Sequence, residues 1–478
     1  MYVSDQPTIA ASRIIRWAIV LALVLLAGFG LWYVLSHGAL RVSSNSKTAE
    51  ISVTLVTETD KVAATGKNGS LFSVLPNGDY IVTAQDGQKQ QKTFVTVSAF
   101  GTKEISLNPP ELLGSEPVTN FSVSSFAASI DKLSMFDSDS AKFISVGQDN
   151  IYNFSDDTYQ FESGVWTSAM NGYAVTKATV DQQKRFIQIS DGAIREVPLP
   201  GKFTDQTYMA FNTSPTGELY VMQDGVLSKR EADGAYEKIV ETNKQALVQS
   251  VNSKYVSLMY RNAEEECEYQ FVSLQSKTIK KMSVTCVQSP DYSYSARWSA
   301  DEKYLALTTG DYLAVYDQSF VEQYIIPDVQ AAHPVWLSAS ELSYVSENNV
   351  WKYDVQTKTT SIIATTPEYI SIEGMRKADD SNTLYFIGRI DDQLTLYRTT
   401  AKADPLSSAE KVAQSNMHEL DYFCRIRYIN FVSLKIIAST SPEDQGDCTT
   451  LIEEYLSSIT VPSLPIQYIL DEEFGYFD

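Results

Sequence analysis

The chain has 478 residues and carries 59 acidic against 38 basic side chains, a formal net charge of −21. Contact with a phosphate backbone needs clustered Lys and Arg that release counterions, so this balance excludes nucleic acid from the expected partners. At 44% hydrophobic, 20% charged and 11% aromatic, with 28 Tyr, the composition is that of a folded, strand-rich protein larger than one ordinary core.

Residues 17–35 contain no charge and run Trp-Ala-Ile-Val-Leu-Ala-Leu-Val-Leu-Leu-Ala-Gly-Phe-Gly-Leu-Trp-Tyr-Val-Leu. As a helix rising about 1.5 Å per residue, such a run matches a hydrocarbon core about 30 Å thick. Trp17, Trp32 and Tyr33 sit near its ends, where amphipathic rings favour a membrane interface, and Arg13 and Arg16 precede it. The pattern predicts a transmembrane helix over residues 14–36, an uncleaved signal-anchor with the lipid bilayer as its partner. It places residues 1–13 as a cytoplasmic tail and the bulk of the chain outside, as in a single-pass cell-membrane protein.

Four cysteines agree with an oxidising compartment. Cys267 and Cys286 lie symmetrically about a candidate hairpin turn, Gln275-Ser276-Lys277-Thr278, while Cys424 and Cys448 bracket a second strand pair. Disulfides Cys267–Cys286 and Cys424–Cys448 are the expected pairing among the possible connectivities, with four unpaired buried cysteines as the alternative.

Residues 41–108 alternate in the manner of short strands. Ile51-Ser52-Val53-Thr54-Leu55-Val56, Tyr80-Ile81-Val82-Thr83-Ala84 and Phe94-Val95-Thr96-Val97 have period two, and Pro76-Asn77-Gly78-Asp79 reads as a tight turn. This unit is expected to be a small β-sandwich. The stretch from Leu75 through Ala84, with Val95 and Val97 before Ile105-Ser106-Leu107-Asn108-Pro109, resembles the PEGA domain, which implies a spacer or adhesive module without catalytic residues. The P-G-A element of that family is absent here. Pro109, Pro110, Gly114 and Pro117 then mark residues 109–119 as a semi-rigid linker.

Beyond the linker one pattern recurs, with Trp298 and Trp336 at equivalent positions. One copy is Ala296-Arg297-Trp298-Ser299-Ala300-Asp301-Glu302-Lys303-Tyr304-Leu305-Ala306-Leu307; the next begins Pro334-Val335-Trp336-Leu337-Ser338. Weaker copies start at Phe136, Phe211 and Asp379. A single sheet of this kind cannot bury both faces, whereas a radial array stacks face on face. These copies resemble the W-S-P-D-G-K-x-L-A-F repeat of the propeller in the Tol-Pal translocation protein and, more distantly, WD-repeat propellers, with Glu302 where that repeat has Gly and Ala300 where it has Pro. A seven-bladed β-propeller over residues 120–461 is expected, with eight blades as the alternative. Residues 462–478 form an acidic, aromatic tail that reads as a closing strand, a frayed end or a docking peptide. The expected fold is therefore all-β apart from one N-terminal transmembrane helix: a small β-sandwich plus a β-propeller.

No catalytic, cofactor or metal residue emerges. His37, His333 and His418 have no His or Cys partner at ligand spacing, and there is no G-x-S-x-G elbow. The acidic pairs Asp156-Asp157, Glu264-Glu265-Glu266, Asp391-Asp392 and Glu453-Glu454 read as solvated turns, since neighbours on a strand point to opposite faces. Trp298, Trp336 and Trp351 read as packing between blades. The function expected is an anchored, extracytoplasmic binding or scaffold protein whose propeller face engages a protein or cell-envelope polymer. The alternative is an anchored glycan hydrolase or lyase that uses carboxylates or tyrosines at the propeller mouth.

Overall fold

A computed structural model describes residues 8–57, 61–99, 101–119, 121–129, 132–137, 141–147, 150–154, 159–190, 193–261, 267–284, 295–308, 312–327, 333–367, 370–390, 393–400, 426–430, 435–438, 450 and 467–470. Helix α1 is Thr8–Ser36, and almost all the rest of the described chain is strand, in many sheets. Two compact units divide it: residues 1–112 with Tyr353–Ile363, and the remainder.

Helix α1 corrects the membrane expectation. Among the described residues no helix is long and apolar enough to cross a membrane. The transmembrane helix over 14–36, the bilayer partner, the cytoplasmic tail and the extracytoplasmic, single-pass placement are all withdrawn on this finding. His37 closes the helix instead: its Nδ1 lies 2.8 Å from the Tyr33 carbonyl, and its ring stacks on Tyr33 at 4.2 Å between centroids.

In the first unit, β1 (His37–Ser43) pairs antiparallel with β4 (Leu71–Pro76) and parallel with β7 (Thr102–Ser106). A second, antiparallel sheet joins β3 (Val62–Lys67), β2 (Glu50–Leu55), β5 (Gly78–Asp86) and β6 (Lys89–Val97) in that spatial order. Alternation decides which side chains face inward: Leu40 and Val42 from β1, Ile51 and Val53 from β2, Tyr80 and Val82 from β5, and Val95 and Val97 from β6 share one buried core. Asn77 carries the chain between the two sheets, donating through its backbone N to the Ser36 carbonyl (2.8 Å) and through Nδ2 to that of Leu35 (3.0 Å).

Among the described residues the chain forms seven blades of four antiparallel strands, each beginning at the centre of a ring; the blade 1 strands belong to a longer sheet, and residues 353–363 of blade 6 are those grouped with the first unit. Blade 1 comprises Val123–Ala128, Lys132–Asp137, Lys142–Gly147 and Asn150–Phe154; blade 2, Tyr159–Ser168, Asn171–Ala178, Lys184–Ser190 and Ala193–Glu196; blade 3, Met209–Thr213, Leu219–Gln223, Val226–Arg230 and Tyr236–Glu241. Blade 4 comprises Leu247–Val251, Tyr255–Arg261, Cys267–Ser273 and Ile279–Val284; blade 5, Ala296–Trp298, Tyr304–Thr308, Tyr312–Asp317 and Glu322–Pro327; blade 6, Val335–Trp336, Glu341–Ser346, Asn349–Asp354 and Thr359–Thr365. Blade 7 takes only three strands from its own stretch of chain, Ser371–Lys377, Leu384–Ile390 and Gln393–Thr400. Its fourth is β8 (Gly114–Pro117), within the segment read as a linker, paired so that Tyr397 faces Pro117 and Thr400 faces Gly114. Pro117 is tolerated because β8 is an outer strand, where a missing N–H breaks no ladder. The chain is thus a β-propeller closed by a strand that precedes it in sequence.

The core lies between blades. Phe136 and Phe143 of blade 1 pack against Phe161, Trp166 and Ile187 of blade 2, and Tyr269 and Phe271 of blade 4 against Leu305 and Leu307 of blade 5. Beyond blade 1's outer strand, Ile426–Asn430, Lys435–Ala438 and Gln467–Leu470 extend its sheet. Gln467–Leu470 therefore lies at that sheet's far edge, while β8 closes the ring; residues 471–478 fall outside the described residues.

Two turns depart from expectation in detail. In blade 4, Ser273 N donates to Thr278 O (2.8 Å) and Lys277 adopts a left-handed φ of 56°, closing the hairpin over residues 274–277. That register sets Val284, not Cys286, opposite Cys267. Cys267 is buried and disulfide-bonded; Cys286, Cys424 and Cys448 lie outside the described residues. In blade 5, Glu302 adopts φ 60°, a conformation that Gly217 supplies with φ 85° in blade 3. The strain of about 1 kcal/mol is offset because the Glu302 carboxylate accepts from Ser253 N (2.7 Å) and Ser253 Oγ (2.5 Å) on blade 4.

Packing between blades 1 and 2 yields a prediction. A Cβ on Gly164 would sit 2.1 Å from Phe143 Cζ and 2.8 Å from Phe136 Cδ2, whereas one on Gly374 would meet nothing within 4 Å. Gly164→Ala should lower unfolding free energy in urea by about 1–3 kcal/mol, and Gly374→Ala should stay within about 0.5 kcal/mol of the parent.

Candidate functional site

The first strands of the blades line a central channel, and a cavity of about 820 Å³ opens among them. Side chains stitch neighbouring blades around it. Trp166 N donates to Ser125 Oγ (3.0 Å), and Asn212 Nδ2 reaches the Gln249 carbonyl (3.1 Å). Arg297 Nη1 donates to that same carbonyl from the opposite side (2.5 Å), and Trp336 Nε1 donates to the carbonyl of Arg297 (2.9 Å). His333 Nε2 lies 2.8 Å from the Ile372 carbonyl. A carbonyl only accepts, so Nε2 carries the proton.

Arg376, on the first strand of blade 7, spans the closure. Its Nη1 donates to the carbonyls of Phe126 (2.7 Å) and Trp166, and Nη2 to that of Thr167 (2.9 Å), joining blade 7 to blades 1 and 2. Asp379 N donates to the Ala128 carbonyl (2.7 Å), and Ala169 N to Asp379 Oδ2 (3.0 Å). Burial pushes the Arg376 pKa down, opposed by Asp379.

Arg297 has a different environment. Its side chain is open to the lumen yet walled by protein, so solvent reaches it without surrounding it. Burial first, then repulsion from Arg376, bring its pKa down to about 10, against the attraction of Tyr269; it remains protonated at neutral pH. Glu373 is the one carboxylate among the cavity's lining residues, and it accepts from Arg389 Nε at 2.8 Å. Among the described residues no three His, Cys, Asp or Glu side chains converge as metal ligands.

Trp298 stacks on Tyr255 (5.6 Å) and donates to Ser257 Oγ (3.0 Å), tying blade 5 to blade 4. Trp336 stacks on Tyr304 of blade 5 (6.1 Å), while Trp351 stacks within its own blade on Tyr344 (6.5 Å). Trp298 and Trp336 thus join blades and border the cavity together. His418 and the four acidic clusters singled out in the sequence fall outside the described residues. The arginines of the channel were missed; the available signal was Arg297 beside Trp298 on a first strand.

No family model and no curated protein matches the chain, so the PEGA and Tol-Pal resemblances gain no support. Among solved structures the chain is similar to one from the crystal structure of a mitotic checkpoint complex: 9% identity, 62% of this chain and 99% of that one covered, TM-score 0.41. Hsv2 of Kluyveromyces lactis matches at 11% identity over 56% of this chain and 90% of that one, TM-score 0.36. A functionally unknown protein from Desulfotomaculum acetoxidans matches at 10% identity over 57% and 92%, TM-score 0.37. These likenesses concern fold alone, and the propeller assignment stands on the seven sheets of this chain.

Two predictions follow from the stitched channel. Arg376→Met leaves three carbonyls without their charged donor, and denaturant titration should show a loss of at least about 2 kcal/mol; a loss below about 0.5 kcal/mol would mean that the closure does not need it. His333 has a lowered pKa, chiefly through burial and also through Arg297, against the Ile372 hydrogen bond and Glu373. The unfolded chain therefore binds the proton first, so stability rises with pH across the window below the ordinary value of 6.5 and is lost as pH falls through it. His333→Gln should flatten this part of the stability–pH curve relative to the parent; an unchanged curve would exclude His333 as its source.

Proposed function

We propose that this chain is a binding or scaffold protein that takes its ligand, a protein or another polymer, at the mouth of the propeller channel. The observation supporting this is the convergence of first strands from several blades on one cavity of about 820 Å³, within the size range of ligand sites of roughly 300–1,000 Å³. The cavity combines aromatic walls, Trp298 and Trp336, with polar groups fixed by bonds between blades. A glycan hydrolase working through paired carboxylates would require a second carboxylate facing Glu373, and the lining residues supply none.

The test compares two positions for a photo-activated cross-linking residue in the full chain. Ala300 lies at the channel wall, and Lys238 is exposed on the outer strand of blade 3. Illumination in extract from the source cells should give discrete adducts at position 300 that excess unlabelled chain suppresses, and none at 238. Equal labelling at both positions, or none at 300, would overturn the channel mouth as the binding face.

A further inference from the structure

The channel carries charge opposite to that of the whole molecule. On a chain with formal net charge −21, its wall presents Arg297, Arg376, Lys377 and Arg389 against the single carboxylate of Glu373, which Arg389 already engages. Arg376 is committed to three backbone carbonyls. Arg297 makes one hydrogen bond, to Gln249 O, and has no ion pair among the described residues. A guanidinium has five N–H donors in a planar fork, so most of Arg297's donors, at the wall of the cavity, have no protein acceptor among the described residues.

Arg297 and Arg376 are close enough to repel one another, and Tyr269 beside the first and Asp379 beside the second offset this only in part. An anion entering the channel offsets the rest and meets unfilled donors in the same step. The Asn212 side-chain amide and the Trp336 indole, each bonded to a backbone carbonyl of the neighbouring blade, hold the wall fixed, so the donors are positioned before the ligand arrives.

We propose that the propeller channel is a receptor for an oxyanion, the carboxylate or phosphate group of a ligand, with Arg297 as its bidentate partner and Arg376 and Lys377 supplying supporting charge. This deepens the channel-mouth reading by assigning the ligand's chemistry. The net negative charge of the chain then repels anions generally while the lumen accepts one, which makes entry selective for groups narrow enough to pass the channel mouth.

Calorimetric titration of the full chain at low salt with two probes, pyrophosphate and citrate, tests this. One of them should bind with affinity that falls as salt is added; preference for citrate identifies a carboxylate-bearing ligand and preference for pyrophosphate a phosphate-bearing one. Arg297→Gln should weaken binding by about tenfold or more, while Lys47→Gln, an exposed cation of the first unit, should leave it unchanged. Circular dichroism and thermal unfolding establish that Arg297→Gln is folded; if it is not, Lys377→Gln should weaken binding in the same direction. Absence of heat with both probes, equal binding by the channel variant, or equal loss in Lys47→Gln would overturn the proposal. Because the probes are small anions, failure here with successful cross-linking at position 300 would remove the oxyanion and leave the channel-mouth reading intact.

Discussion

Everything in the second unit depends on closing a ring. A four-stranded sheet with two apolar faces is stable only when both are covered, and a row of such sheets always leaves two faces bare unless the last meets the first. The seam between blades 7 and 1 is therefore where covalent continuity gives the least help. Here it is held twice: at the rim by β8, which completes blade 7 from upstream in the chain, and at the hub by Arg376, whose guanidinium reaches carbonyls on two other blades. Phe126 and Tyr385, with ring centroids 6.2 Å apart, fill the space between.

How much of this was legible follows from what each strand touches. Strands of the small unit alternate because one face meets the core and the other water, and the period-two runs at residues 51–56, 80–84 and 94–97 fall in β2, β5 and β6 but for Val56, one residue past β2. Inner propeller strands are covered on both sides; Leu219–Gln223 is buried at every position, so no alternation survives to be read. Blades 5 and 6 were visible through Trp298 and Trp336, which bridge blades, whereas blade 4 has no Trp and Trp166 of blade 2 is not followed by the repeat's polar turn. Strand β8 read as linker because Gly114 and Pro117 are turn formers, and only its place at an outer edge makes them acceptable in a strand. The site was hidden for a related reason: Arg297 is one residue of a three-residue strand, and sequence does not say whether its side chain enters a channel or a groove.

The left-handed turn at Glu302 shows how a departure from a repeat becomes structural. Where blade 3 uses Gly217, blade 5 accepts backbone strain and uses the acquired side chain to bind Ser253 on the preceding blade. At the hub the same economy holds for charge: on a chain of net charge −21, Arg297 and Arg376 brace backbone carbonyls of neighbouring blades.

Closure by an upstream strand also sets an order of events on the ribosome. Glu116 of β8 and its blade 7 partner Arg398 are 282 residues apart, so β8 emerges long before the strand it must join. At roughly 5–20 residues per second, the interval is on the order of 15–60 s. Throughout it blades 1 to 6 can stack on one another in sequence, but the outer faces at both ends of the growing stack stay bare. The nascent chain consequently spends its synthesis as an open arc, and its two exposed ends are the surfaces that a chaperone would have to shield.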